Sequence, residues 1–125
     1  MRLAMHSCTT HGSGDAVPVL ARARDLDAHC SHCHGRGGSA EDTRLWWDLA
    51  HTTPTELPIC RSTASVDDRD RVLVPGHPEQ SELLARMASD DASVRMPRGP
   101  TQLPDRAGIA LLTAWIAAMP PRTCR

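Results

Sequence analysis

The chain has 125 residues, 40% of them apolar, and a formal net charge of −1, which is the size and balance of one ordinary domain. Acids and arginines are interspersed, which argues against a nucleic-acid partner and against a polybasic membrane anchor, and no stretch approaches the ~20 apolar residues of a transmembrane segment. There is no Phe and no Tyr, only Trp46, Trp47 and Trp115, and all 14 basic residues are Arg. Either the core packs around some other large flat apolar body, or the composition reflects a biased genome.

Residues 1–16 read as a flexible lead-in and residues 17–125 as the folded domain. Met1–Cys8 carries one positive charge but lacks the ~7-residue apolar run of a signal peptide. His6-Ser7 before Cys8 does not make a lipobox. From Val17 the spacing of Val17, Leu20, Ala21, Arg24 and Ala28 predicts a helix with Pro18 in its first turn. That helix delivers Cys30-Ser31-His32-Cys33-His34, which reads C-x-x-C-H. Two thiols three positions apart on a helical turn can reach the two vinyl groups of one porphyrin as thioethers. The next residue, His34, then lies under the macrocycle where its imidazole binds iron. The competing reading is a zinc site, for which His29, Cys30, His32, Cys33 and His34 are suitable ligands. No second C-x-x-C or H-x-x-x-H pair follows to close one. Haem is attached to this motif outside the cytoplasm, so the N-terminus predicts a processed chain or a module of a longer protein. A periplasmic or extracellular location is expected.

Gly35, Gly37 and Gly38 end the helix. Glu41 to His51 carries Leu45, Trp46, Trp47 and Leu49. The tryptophan pair reads first as core packing, and second as one indole lining the haem and donating its N–H to a propionate. Thr52 to Arg71 reads as loop. Val72-Leu73-Val74 is a short apolar run stopped by Pro75-Gly76. A helix starts near His77-Pro78-Glu79-Gln80-Ser81-Glu82 and buries Leu83, Leu84 and Met87, and Ser89 to Ser93 ends it. Val94 to Pro100 is a rigid loop containing Met96. The last helix takes Asp105 as N-cap and carries Ile109, Leu112, Trp115, Ile116 and Met119 at helical spacing, and Pro120-Pro121 stops it.

Five residues are candidates for a second axial ligand: Met87, Met96, Met119, His51 and His77. A thioether raises the haem potential, a second imidazole lowers it, and an open site admits ligands or chemistry. Met87 and Met119 lie on apolar helix faces, where Met is normally core filler. Met96 lies in a stiff loop before a proline, from which it can be aimed. His77 reads as a cap or surface residue, and His51 has weaker context still.

Cys30 to Gly35, Val74-Pro75-Gly76-His77-Pro78 with Ser81 to Leu84, Arg95-Met96-Pro97, and Leu111 to Ile116 together resemble a single-haem c-type cytochrome domain. Asp48-Leu49, Thr53-Pro54 and Ile59-Cys60 add to the likeness. The nearest flavour is the bacterial group associated with secreted dehydrogenases and repeat-rich surface proteins. The resemblance spans about Leu20 to Met119. It implies a mainly α fold, a small helical domain wrapped around one covalently attached haem c. Cys30 and Cys33 would form the thioethers, with His34 proximal and Met96 distal to the iron. One departure is His77, where the group usually has an acid before the proline.

In an oxidising compartment an exposed free thiol does not persist. Cys8, Cys60 and Cys124 allow three pairings; the one expected is Cys60–Cys124, tying the central loop to the end of the last helix, with Cys8 left over or disordered. No acid–base or nucleophilic set stands beside the motif, so electron transfer to a redox partner protein, such as a dehydrogenase, is the expected function. The alternatives are a haem enzyme or ligand sensor with an open or displaceable sixth site, and a zinc-binding interaction module.

Overall fold

The computed structural model describes residues 26–51, 56–66, 68–98 and 104–125. The lead-in, most of the helix expected from Val17, Cys8, Thr53-Pro54 and Gly99-Pro100 lie outside the described residues. Where the description begins, residues 26–29 are helical. The chain then passes through 3₁₀ turns at Glu41–Thr43 and Leu49–His51 into an antiparallel hairpin, β1 (Ser62–Val66) and β2 (Arg69–Arg71). A 3₁₀ turn at Pro78–Gln80 leads into α1 (Glu82–Ala88), and α2 (Arg106–Ala118) closes the fold.

The hairpin corrects the expectation of a loop from Thr52 to Arg71, and the expected mainly α architecture holds only in part. Ser62-Thr63-Ala64-Ser65-Val66 has neither a strong apolar alternation nor aromatic residues, so its pairing is set by surroundings rather than propensity. The register joins Ser62 to Arg71 and Val66 to Arg69, with an irregularity between. Asp68 takes the left-handed conformation (φ 64°) at the turn, which a short polar side chain tolerates.

One core joins these pieces. Leu26, Trp47, Leu57, Val72, Leu73, Leu83, Leu84, Met87, Leu112, Trp115 and Ile116 are all buried in one cluster, with Ile59, Ile109 and Met119 packed against it. In α1 the three expected apolar positions, Leu83, Leu84 and Met87, face inward, and in α2 Leu112, Trp115 and Ile116 do so. Asp105 caps α2 as expected, its carboxylate accepting from the Gly108 N–H at 2.9 Å. Without Phe or Tyr, aliphatic side chains and the two inner indoles, Trp47 and Trp115, supply the buried surface.

Ser81 holds the entry to α1. It is fully buried, and its hydroxyl accepts from the Val74 N–H at 2.9 Å while facing the His77 carbonyl at 3.1 Å. This closes the Val74–Ser81 loop on itself. Gly76 (φ 75°) lies so near the chain end that a Cβ there would meet Pro121 Cα at 2.8 Å. The Gly76 N–H donates to the Ile116 carbonyl at 2.9 Å and the Arg122 N–H to the Pro75 carbonyl at 3.2 Å. The disulfide expected between Cys60 and Cys124 is present, with the Cα atoms 5.1 Å apart. Cys60 itself takes a left-handed backbone (φ 57°).

Candidate functional site

The C-x-x-C-H segment continues the helical turn that precedes it. The Cys30 N–H donates to the Leu26 carbonyl at 2.8 Å, and the His34 N–H donates to the Cys30 carbonyl at 2.9 Å. The loop after it folds back over the motif. The Ala40 N–H donates to the Cys33 carbonyl at 3.0 Å, and the Trp47 N–H to the His34 carbonyl at 3.1 Å. Gly38 is there because nothing larger fits: a Cβ would clash with the backbone carbonyl of Cys33. Neither Cys30 nor Cys33 is in a disulfide, and both are partly accessible.

These residues open on a cavity of about 530 Å³, inside the ~300–1,000 Å³ range of small-molecule and cofactor sites. Cys30, Cys33 and His34 form one side, with Leu45 and Trp47 beside them. Leu83, Met87 and the Glu82–Arg86 pair of α1 line it too, together with Val72, Thr63, Met96, Pro97 and Arg98. The wall is chiefly apolar, which suits a large apolar ligand tethered at one edge.

Burial lowers the pKa of His34 below the usual histidine value, only partly opposed by the Leu45 carbonyl, and the positive charge of Arg86 lowers it further. That direction favours the neutral ring, the form in which histidine ligates a metal. Its Nδ1 lies 3.2 Å from Thr43 Oγ1.

Met96 reaches the same cavity. Its N–H donates to the Arg86 carbonyl at 3.1 Å, while the Arg86 guanidinium donates from Nη1 to the Val94 carbonyl at 3.1 Å and from Nε to Glu82 Oε1 at 2.6 Å. The Val94 and Arg95 N–H groups both donate to the Asp91 carbonyl. The loop is thus fixed to α1 through one arginine, and Met96 precedes a cis proline, Pro97. Asp91 accepts from both the Ser93 hydroxyl and the Ser93 N–H, which hold its carboxyl below the usual aspartate range.

The other sequence candidates separate. Met87 is buried in the core as expected, yet it also lines the cavity, which helix periodicity alone did not reveal. Met119 packs against the core, away from the cavity lining. His77 is the residue before the 3₁₀ turn, without a side-chain cap bond, and its ring faces Glu79 at 3.2 Å. His51 pairs with Asp48 at 2.6 Å and meets the edge of Trp46. Trp47 belongs to both the core and the cavity wall. Trp46 instead lies under the Arg36 guanidinium, 5.1 Å from its ring, with its indole N–H buried and without a partner. The expectation of an indole on the site therefore falls to Trp47.

Sequence reasoning did not anticipate Thr43 or the pairing of buried Glu82 with half-buried Arg86. Neither belongs to a recognisable motif, although Glu82 and Arg86 have the i, i+4 spacing that signals pairing on a helix. Among the described residues, no group of three or more His, Cys, Asp or Glu side chains converges as a bare metal ion would require. No described helix is long and apolar enough to cross a membrane.

The residues present fit a covalently attached haem. Two thiols outside any disulfide, an imidazole whose burial favours its neutral form and a thioether share one chiefly apolar cavity of suitable size. No curated protein and no solved structure matches the chain. Residues 60–99 match the family model described as Planctomycete cytochrome C; that stretch carries Met96 and all of α1 but not the C-x-x-C-H motif, and the match supports a c-type cytochrome domain in this chain.

Proposed function

We propose that this domain is an electron carrier holding one haem c, with Cys30 and Cys33 as thioether donors, His34 as proximal ligand and Met96 as distal ligand. The observation that carries the reading is that Cys30, Cys33 and His34 line one chiefly apolar cavity together with Met96, which is distant from them in sequence. Bound there, the haem would supply a one-electron ferrous/ferric couple.

The chain's own residues do the rest. The glycine-tight turn after Cys33 holds both thiols at one edge of the cavity. His34, in the neutral form that burial favours, presents a lone pair, and Arg86 fixes the loop that carries Met96. Leu45, Trp47, Val72, Leu83 and Met87 exclude water from the wall, which favours the less charged reduced state and limits rearrangement on electron transfer. A protein partner such as a dehydrogenase fits this role, and a periplasmic or extracellular location fits both the haem chemistry and the disulfide.

Met96 is favoured over Met87 because Met87 is held in a helix and committed to the core, whereas Met96 sits in a loop tied down by backbone bonds. Met96→Ala is expected to remove the weak far-red band of methionine-ligated ferric haem and to lower the reduction potential. Met87→Ala is expected to keep the band and chiefly lower stability, by about 2–5 kcal/mol for a buried methionine truncated to alanine. The reverse pattern would transfer the ligand role to Met87. A spectrum and potential insensitive to both would mean an open sixth site.

A further inference from the structure

We propose that the Glu82–Arg86 pair is the latch of the loop that carries Met96: it reserves the sixth ligand position for that thioether and keeps outside ligands away from it. The inference rests on the haem reading and adds to it the residues that separate an electron carrier from a ligand-binding haem protein.

Residues 91–98 make most of their hydrogen bonds among themselves and with Ser89. The Val94 and Arg95 N–H groups donate to the Asp91 carbonyl, and the Asp91 N–H donates to Ser89 Oγ. The Ser93 hydroxyl and N–H donate to the Asp91 carboxylate, and Arg98 donates to the Ser93 carbonyl. Such bonds shape the loop without attaching it to the fold. Among the described residues, both hydrogen bonds that leave the loop end on Arg86. One runs from the Met96 N–H to the Arg86 carbonyl at 3.1 Å, in the last turn of α1, where carbonyls lack intrahelical partners. The other runs from the guanidinium Nη1 to the Val94 carbonyl at 3.1 Å. They bracket buried Arg95, so the loop is gripped directly beside Met96.

Glu82 explains why the grip holds. It is buried and lines the cavity with Arg86. Stripping water from a carboxylate and a guanidinium offsets much of their attraction, so a buried ion pair is a weak source of stability that apolar residues of similar volume often replace. What the pair supplies here is direction. The guanidinium is planar and rigid. With Nε bound to Glu82 Oε1 at 2.6 Å, its plane is set and Nη1 is held toward Val94. Both residues stand on α1, one turn apart, so the acceptor that orients the arginine does not move with the loop. An outside ligand can displace Met96 only when the loop opens, and opening breaks this preset contact.

The test compares two ferric, haem-loaded proteins. Glu82→Gln keeps an acceptor for Arg86; Glu82→Gln/Arg86→Leu removes the grip on Val94 and leaves no charge buried without its partner. Imidazole is the probe, followed by the visible spectrum at one pH at which it is neutral, so that its binding does not simply report the lost positive charge. The double variant should bind imidazole at least about tenfold more tightly than its parent, the factor that one hydrogen bond from a charged group corresponds to. Glu82→Gln/Leu112→Ala, a core truncation outside the cavity lining, is the control: it should unfold more readily in denaturant yet bind imidazole as the parent does. Equal affinity in parent and double variant, or an equal gain in the Leu112→Ala control, would overturn the proposal while leaving the haem assignment intact. If the leucine variant does not fold, Glu82→Gln/Arg86→Gln takes its place, because glutamine is too short to span both partners, and the same outcomes decide. A colourless wild-type protein, or a wild-type ferric spectrum without the far-red band, would overturn this proposal together with the His34/Met96 reading, and is recognised before any imidazole is added.

Discussion

Glu82 shows how single residues are set by the cavity. It is only 2% exposed, yet it carries a carboxyl group, and burial raises its pKa above the usual glutamate value. The hydrogen bond and charge of Arg86 oppose that shift without cancelling it, and Asp70 adds to it. A carboxyl whose folded pKa exceeds its unfolded one contributes stability that is fully present below the unfolded pKa and is lost as pH rises through the folded one. Glu82→Gln keeps an acceptor for Arg86 and does not titrate. Relative to that variant, the wild-type protein should therefore lose stability as pH climbs from about 4 toward 7, starting near the normal glutamate pKa of about 4.3. Thermal unfolding of both proteins across that range measures it. A gap that moves in favour of the wild type on raising pH would mean that the Arg86 pairing outweighs the burial.

At the scale of elements, the legible parts of the chain were those with strong local signals. The C-x-x-C-H spacing marked one side of the cavity because the chemistry fixes three residues within five consecutive positions. The apolar faces of α1 and α2 followed from periodicity, and Asp105 from its place ahead of the last periodic run. The hairpin was missed because Ser62–Val66 has only Thr63 and Val66 as strand formers and no apolar alternation, and its pairing depends on contacts that a linear pattern does not show. Thr43 was missed for a related reason. It is nine positions after His34, in a short polar turn, and only the fold brings its hydroxyl to the imidazole. The two faces of Met87 were hidden because periodicity says that a side chain points inward without saying whether core or cavity lies there. The pairing of Cys60 with Cys124 was one of three that Cys8, Cys60 and Cys124 allow, and the fold shows it; the left-handed turn that aims Cys60 carried no signal in the sequence.

At the scale of the whole molecule, the chain end is drawn back onto the middle of the fold. The Cys60–Cys124 bridge, the Arg122–Pro75 hydrogen bond and the contact between Gly76 and Pro121 all return the segment after α2 to the loop before α1. The bridge closes a sequence separation of 64 residues, for which loop-closure entropy gives about 4 kcal/mol of stabilisation. Replacing both cysteines by serine should lower the unfolding free energy by about that amount in a denaturant titration. A loss under about 1 kcal/mol would show that the other chain-end contacts hold the fold without it. The core has no phenylalanine or tyrosine, and its aliphatic wall borders a large cavity, so the folded molecule and its ligand are expected to be interdependent. The central claim is that this ligand is a haem bonded to Cys30 and Cys33, and the most direct test is the visible spectrum of protein exported in a host that matures c-type cytochromes. The account predicts a sharp α-band on reduction, colour that stays with the polypeptide through acid–acetone extraction, and a weak far-red band when oxidised. A colourless protein, or colour that the solvent removes, would contradict it.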